Sequence, residues 1–409
     1  MRFRIILLFV SIAFLITSCG ENKTIDEANI PVISESDYFS ADIINQTENT
    51  VRFKETVSFA QAYPDSDMTN LTNLKKPRED ANIVYVDNAG NIYYVAERGD
   101  KYSSGAIFLY STTDKKWTTL IETAENHSCT VVCANESYML WQEDDNANWM
   151  KVTLNLLDLK TKKSVKIYDY SIDPNTGLMY AWQFSTPVII GDKVYFDDIV
   201  GIDKNGLYDI KMYSYSITNE KISVLDEDAK WSMEFQGGAA WLKMSSDEKN
   251  SLFYSAMQEK FLLKTQTQLG TAFTSSKDII VANDYMSQAF FDYLTAKSNS
   301  QTDYSDSVKD TAVSSYGIKL YKNNKIQPII VVNTGFITNP VTNGDLVGWY
   351  GDSVGRPLIY SSQKDVLIEF DQISEENILA YGFKLSDNYL ILSYATLDNE
   401  QYVYMFDLK

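Results

Sequence analysis

Short stretches in which apolar and polar residues alternate recur along most of the chain. The clearest example is the phrase AIFLYSTTDKKWTTLIE at residues 106–122, in which two alternating runs flank a polar turn that contains two lysines. Alternation with a period of two is typical of β-strands, and two such runs joined by a short polar turn predict a β-hairpin. Similar phrases return at residues 154–169, 212–227, 318–332 and 358–370, and a truncated copy ends at Lys409.

From residue 82 onwards the hairpins belong to larger units, each with four apolar runs. Seven such units follow one another at intervals of about 40–60 residues, which indicates the four-stranded blades of a β-propeller. In the fourth unit, where the pattern is weakest, we place the first run at residues 239–244. Because of that unit, six or eight blades are alternatives, as is an open β-sandwich or a solenoid. The sequence predicts an all-β propeller with seven blades.

The seventh unit stops after three runs, so its sheet lacks an outer strand. The alternating stretch Val51–Phe59 lies before the first unit and belongs to none of the seven. An open blade would leave unpaired backbone groups at its edge, and a strand from the opposite end of the chain removes that edge. We predict that residues 50–60 supply this strand and that the propeller spans residues 50–409.

The first residues predict that the protein is exported from the cytoplasm. Arg2 and Arg4 precede an apolar run at residues 5–16, which is the pattern of a secretory signal and is too short to span a bilayer comfortably. The sequence Ile16-Thr17-Ser18-Cys19 that follows resembles the bacterial lipobox. The resemblance implies that residues 1–18 are removed, that Cys19 carries a lipid, and that residues 19–49 are a polar tether. The predicted location is the bacterial cell envelope, anchored to the membrane by this lipid. An ordinary signal peptide or an uncleaved anchor is the alternative.

The charge and the cysteines limit the partners further. With 36 basic and 55 acidic residues the net charge is −19, which disfavours nucleic acid as a partner. Cys129 and Cys133 lie four residues apart in a predicted strand, hence on one face and roughly 13 Å apart, too far for a disulfide. His127, the only histidine, shares that face, but ligands so widely spread do not converge on zinc. Buried thiols are the favoured interpretation.

The connections between the second and third runs of each unit are longer and richer in charged residues than the other turns. They lie at residues 97–105, 143–149, 197–206, 295–315 and 351–357. Loops on a rigid scaffold are where binding residues concentrate. The candidate ligand-binding residues are the arginines, acids and tryptophans in or beside these connections: Arg98, Asp100, Trp141, Glu143, Asp144, Trp149, Asp197, Asp198, Trp349, Asp352 and Arg356. The alternative is that the acids simply end strands and that the tryptophans fill blade cores.

Metal and enzyme chemistry are weakly indicated. Asp144-x-Asn146-x-Asn148 is similar to the start of a calcium loop but lacks the turn glycine and the final glutamate, so Ca²⁺ is a weak possibility and no other cofactor is predicted. A single histidine on a predicted strand disfavours a Ser-His-Asp triad, and the sequence contains neither a G-x-S-x-G elbow nor a phosphate loop. A carbohydrate-active enzyme, a glycosidase or lyase that uses paired carboxylates, is the remaining catalytic alternative.

The phrase DNAGNIYYV at residues 87–95 and the recurring strand motif Y-x-Y or D-L-x-T-x-x-K resemble bacterial TolB-like propeller lipoproteins. The resemblance implies the propeller fold but not a function, and the separate N-terminal domain of TolB has no counterpart here. We therefore predict a membrane-anchored binding module that recognises a protein, peptide or glycan through the loop-rich face. The carbohydrate-active enzyme is the first alternative, and a purely structural envelope scaffold is the second.

Overall fold

The computed structural model describes most of the chain outside its N-terminus and several connections. The described residues are 30–33, 50–97, 104–145, 151–173, 177, 187–202, 208–244, 251–265, 271–285, 316–332, 340–350, 357–370, 378–379, 382–396 and 401–408. By contacts between Cα atoms the chain divides into two units. Unit 1 comprises Met1–Val32 and Lys75–Gln268, and unit 2 comprises Ile33–Leu74 and Leu269–Lys409.

Short elements precede the repeats. They are β1 (Val32–Ile33), β2 (Thr50–Arg52), β3 (Glu55–Ser58), the one-turn helix α1 (Phe59–Ala62) and β4 (Met68–Asn70). The helix begins with a capping box, in which Ser58 Oγ accepts the backbone N–H of Gln61 at 3.2 Å and Gln61 Oε1 accepts that of Ser58 at 2.8 Å.

Unit 1 contains four sheets, blades 1 to 4, and we call their strands A to D in chain order. Blade 1 has β5 (Asn82–Val86), β6 (Ile92–Ala96), β7 (Ala106–Ser111) and β8 (Lys116–Glu122). Blade 2 has β9 (His127–Ala134), β10 (Tyr138–Asp145), β11 (Val152–Asp158) and β12 (Lys163–Asp169). Blade 3 has β13 (Val188–Ile190), β14 (Lys193–Ile202), β15 (Tyr208–Ser216) and β16 (Lys221–Glu227). Blade 4 has β17 (Ala229–Phe235), β18 (Gly238–Met244), β19 (Ser251–Ser255) and β20 (Lys260–Thr265).

Unit 2 contains three further sheets, blades 5 to 7. Blade 5 has β21 (Thr271–Ser276), β22 (Ile279–Tyr285), β23 (Tyr316–Lys322) and β24 (Lys325–Val332). Blade 6 has β25 (Val341–Thr342), β26 (Leu346–Tyr350), β27 (Pro357–Ser361) and β28 (Val366–Glu369). Blade 7 has β29 (Ile378–Leu379) and β30 (Phe383–Leu385), which both pair with β31 (Tyr389–Thr396), and then β32 (Gln401–Asp407). The chain is thus an all-β protein with the seven four-stranded blades of a β-propeller, as the repeats predict.

An N-terminal strand completes the seventh blade, but its residues differ from those predicted. Strand β4, with Thr69 opposite Met405, takes the D position beside β32. The stretch at 50–60 instead adds an outer strand to each of two other blades, since β2 pairs with β24 and β3 runs parallel to β28. Beside blade 4, the carbonyl of Pro31 accepts the N–H of Lys264 at 3.0 Å. The assignment of residues 50–60 to blade 7 is therefore wrong.

From blade 4 to the start of blade 5 the frame is also shifted by one strand relative to the sequence prediction, and it returns to register at the hairpin of residues 318–332. The A strand of blade 4 is β17, so the predicted first run at 239–244 is its B strand. The run at 271–274, expected to close blade 4, lies in the A strand of blade 5. The shift arises because the alternation in β17 is interrupted by a bulge after Lys230.

The turns between strands C and D repeat one local structure in five blades. The first turn residue is Ser or Asp, and its side-chain oxygen accepts the backbone N–H three residues later, as from Thr161 to Asp158 Oδ1 at 2.8 Å. The residue after that donor has a positive φ, as at Lys162 with 58°. A type I turn followed by one left-handed residue is a favoured hairpin connection. The left-handed residues are Lys115, Lys162, Glu220, Glu259 and Asp365.

Strands B and C carry most of the core of the sheets. In β6 and in β26 all five residues are buried. Separate apolar clusters lie between blades 1 and 2, between blades 2 and 3, and, within unit 2, between blades 5 and 6 and between blades 6 and 7. Among the described residues, no helix is long and apolar enough to cross a membrane.

Candidate functional site

Only part of the predicted site can be located. Cys19, Arg98, Asp100, Trp149, Asp352 and Arg356 lie outside the described residues, as do Asn146 and Asn148 of the calcium-like stretch. The remaining candidates are Trp141, Glu143, Asp144, Asp197, Asp198 and Trp349, all of which lie on B strands.

The two tryptophans are core residues rather than stacking platforms for a ligand. Trp141 is 5% exposed, packs in the cluster between blades 1 and 2, and donates its indole N–H to Ser164 Oγ at 2.9 Å. Trp349 is fully buried in the cluster between blades 5 and 6. Neither indole ring is exposed to a ligand, because adjacent sheets cover both faces of these two B strands. Their burial gives no support to the prediction that they bind a ligand.

Asp197 and Asp198 are also structural. The sequence predicts a loop from residue 197, whereas strand β14 continues to Ile202 and buries both carboxylates. Asp198 Oδ2 accepts the phenol O–H of Tyr168 and the backbone N–H of Ser171, each at 2.9 Å, and so ties blade 3 to blade 2. Burial raises the pKa of Asp198. Asp197 Oδ1 accepts the backbone N–H of Trp231 in blade 4 at 3.2 Å.

Glu143 and Asp144 do reach an accessible edge. They end β10 opposite the start of β9, with Asp144 paired to Ser128 and Asp145 to His127. Glu143 Oε1 lies 2.7 Å from His127 Nδ1, and both side chains are partly exposed. We call Glu97, Glu143 and Asp144 the carboxylate edge of blades 1 and 2, since the exposed Glu97 directly follows β6 of blade 1.

Glu97 and Glu143 act electrostatically on Asp144. Burial raises the pKa of the Asp144 carboxyl, and the charges of Glu97 and Glu143 raise it further, while the hydroxyl of Ser128 opposes this shift. Like charges close together in a partly desolvated place favour the protonated acid. Among the described residues, no lysine or arginine forms an ion pair with any of the three. No described Lys or Arg is therefore ion-paired with the negative charge of this edge.

Arg78 supports this edge, and sequence reasoning missed it. Its side chain is buried, and it donates to the carbonyls of Glu97 at 2.9 Å and Ser104 at 2.6 Å, the two ends of the first long connection. Its charge is paired with Asp80 at 2.7 Å. The only signal in the sequence is an acid two residues after one of few arginines.

Both remaining cysteines lie on β9, Cys129 near the carboxylate edge and Cys133 near the other end of the strand. Both are free thiols, and burial raises the pKa of Cys129 and of Cys133 to about 12. Strand β9 packs so closely on blade 1 that a Cβ at Gly105 would lie 2.6 Å from the backbone N of Cys129. Cys129 is buried as predicted, whereas Cys133 is partly exposed. The two lie on opposite faces of the sheet because of the bulge at Val132, so the prediction that they share one face is wrong.

The described residues do not form a metal or glycosidase centre. No group of three or more His, Cys, Asp or Glu among them is placed to hold a metal ion. Asp197 and Asp198 are buried, and each accepts a hydrogen bond from a neighbouring blade. The carbohydrate-active alternative has no support from the described residues.

Comparison with known proteins shows the fold. No known protein family matches the sequence, and no curated protein matches it either. The β-propeller domain of the Trilobed protease from Pyrococcus furiosus is similar in structure, with 10% identity, a TM-score of 0.53, and coverage of 82% of this chain and 95% of that one. Acylaminoacyl peptidase from Pyrococcus horikoshii is similar with 11% identity and a TM-score of 0.50 over 80% of this chain, which spans about half of that peptidase, 51% of its length.

TolB from Acinetobacter baumannii also matches, with 12% identity over 78% of this chain and 64% of that one, but at a TM-score of 0.39 that is too low to carry an argument. At identities of 10–12%, the likeness to these structures extends to the propeller fold and not to activity.

Proposed function

We propose that this protein is a lipid-anchored binding module of the bacterial cell envelope, and that it takes a cationic segment of a protein or peptide at the carboxylate edge of blades 1 and 2. The observation that carries the proposal is the grouping of Glu97, Glu143 and Asp144 without a balancing Lys or Arg among the described residues. An ammonium or guanidinium placed among them relieves the repulsion that raises the pKa of Asp144.

The position of this edge agrees with a binding role. Glu97 and Asp145 are the last described residues before two connections of the kind that carry binding residues in other proteins. The start of the first connection is fixed, because the buried Arg78 holds the carbonyl of Glu97. A recognition surface requires a rigid backbone that positions exposed side chains.

A titration with a charged peptide tests the proposal. We expect an amidated tetralysine peptide to bind the full-length chain in detergent, with affinity that falls as salt rises, and an amidated tetraglycine peptide to stay unbound. The double variant E143Q/D144N should lose roughly tenfold or more in affinity, about 1.4 kcal/mol. The control is E220Q/E259Q, which removes the same charge from the turns between strands C and D.

The two variants separate the alternatives. Equal binding by both would show that only the net charge of −19 attracts the peptide, and the site assignment would fail. Salt-insensitive binding of a neutral glycan in place of the peptide would overturn the charge argument.

The anchor is a separate part of the proposal and is supported by the lipobox-like residues before Cys19. Cells that express the chain should incorporate labelled fatty acid into it, and the variant C19S should lose the label and leave the membrane fraction. Unlabelled wild-type protein in the soluble fraction would contradict the assignment.

A further inference from the structure

The A strand of blade 4 contains an unusual backbone conformation. Trp231 has a φ of 57°, in the left-handed region that bulky residues rarely occupy. It lies at a bulge, where the pairing passes from Lys230–Leu242 to Met233–Ala240. The corresponding bulges in blades 1 and 2 fall at Val84 and Val132, and neither has a positive φ.

Hydrogen bonds from blade 3 hold this conformation in place. The buried carboxylate of Asp197 accepts the backbone N–H of Trp231 at 3.2 Å. The next residue, Ser232, donates its hydroxyl to the carbonyl of Tyr195 at 2.9 Å. A bulge position with positive φ is usually glycine, and strained residues that the surroundings hold in place concentrate at functional sites. The strained backbone points to a functional role of the Trp231 side chain.

The bulge brings an amine and an indole together. Lys230 Nζ lies 5.0 Å from the centre of the Trp231 ring, and both side chains are only partly buried. The amine forms neither a hydrogen bond nor an ion pair with any described residue. Burial lowers the pKa of Lys230, and the charge of Asp197 opposes that shift. An ammonium group that has no acceptor among the described residues, in a partly desolvated place, is stabilised by an anionic oxygen.

We propose that Lys230 and Trp231 form a binding site for a small carboxylate, with the ammonium of Lys230 bound to the carboxylate and the indole of Trp231 packed against the adjoining carbon atoms. Asp197 is a positioning residue, since it holds the backbone of Trp231. This site is distinct from the carboxylate edge and has the opposite charge preference. The carboxylate can belong to a peptide C-terminus or to a uronic acid, which share this chemistry.

The test uses paired probes on the full-length chain in detergent, with saturation-transfer NMR and calorimetry as readouts. N-acetyl-alanyl-phenylalanine is compared with its C-terminal amide, and glucuronate with its methyl ester. We expect one carboxylate to bind with a Kd on the order of 1 mM and its neutral counterpart not to bind. The arm that binds identifies the source of the carboxylate.

Variants test whether the carboxylate binds at this bulge. K230M should lower the affinity for the carboxylate by about tenfold or more, and K230R should retain much of that affinity. K260M, which removes an exposed amine from the D strand of the same blade, should leave the affinity unchanged. W231A and W231G should both lose affinity. W231G should melt higher than W231A by about 2 °C, because glycine relieves the left-handed strain.

Each outcome decides the proposal. Loss of carboxylate binding in K230M with retention in K260M supports it. The proposal is overturned if neither carboxylate binds the wild-type chain, if the neutral counterparts bind equally well, or if K230M binds as the wild type does. If K230M does not fold, K230R and W231G test the proposal instead. The proposal is also overturned if W231G binds the carboxylate with unchanged affinity.

Discussion

The N-terminal segment is an integral part of unit 2, and Phe59 is the residue that tests this most directly. Its side chain is 3% exposed and packs against Tyr63, Phe370 and Phe406, with ring centroids 5.2, 5.4 and 4.6 Å away. Truncation of a buried phenylalanine to alanine removes its transfer energy and leaves a cavity. We expect F59A to lower the free energy of unfolding by about 3–5 kcal/mol.

Urea denaturation of the full-length chain, followed by far-ultraviolet circular dichroism, measures this change. The matched control is F53A, since Phe53 lies in the same segment and is 37% exposed. Surface truncations of this kind usually cost less than about 1 kcal/mol. A loss below about 1 kcal/mol for F59A, or equal losses for both variants, would refute the packing of this segment on blades 6 and 7.

Three further predictions concern the turns, the carboxylate edge and the contact between blades 1 and 2. K162G and E259G should each stabilise the chain by about 0.5–1 kcal/mol, because glycine relieves a positive φ; a lower melting temperature would contradict this. The pKa of Asp144 is raised in the folded chain, so its ionised carboxylate destabilises the fold at neutral pH, and D144N should there raise the melting temperature. As pH falls toward 3.8 the wild-type carboxyl becomes protonated, and the melting temperatures of D144N and the wild type should converge. G105A should destabilise strongly, since its Cβ would meet the backbone of β9, whereas G201A, with open space around it, should not; equal melting temperatures would contradict the contact.

The first three blades could be located from the sequence because their strands alternate and their turns carry recognisable residues. Predicted and observed strands agree within a few residues there, as for the run at 107–111 and β7. Blade 4 was misplaced because Lys230 and Trp231 stand at a bulge, so the period of two is lost where the A strand passes through it. The prediction therefore takes the B strand of blade 4 for its A strand, and it returns to register at the hairpin of residues 318–332.

The strand that completes blade 7 could not be found by any pattern of apolar residues. Residues 68–70 are all exposed, and β4 is held beside β32 by backbone pairing. The alternation at residues 51–59 instead reflects two short strands and the core residue Phe59. Hydrophobic alternation reports burial of side chains, whereas an outer strand needs only hydrogen-bonding groups.

The same distinction explains which candidate site residues were identified correctly. Trp141 and Glu143 lie two residues apart on one face of β10, so about 7 Å separates a core position from an accessible one. In blade 2, an aromatic residue followed by acids therefore marks where the B strand leaves the core, and the acids reach the surface. In blade 3 the same pattern stays inside, because β14 continues and Tyr168, Ser171 and Trp231 supply donors to its two aspartates. Whether a strand-end acid is exposed thus depends on donors from neighbouring blades, which its own local sequence does not contain.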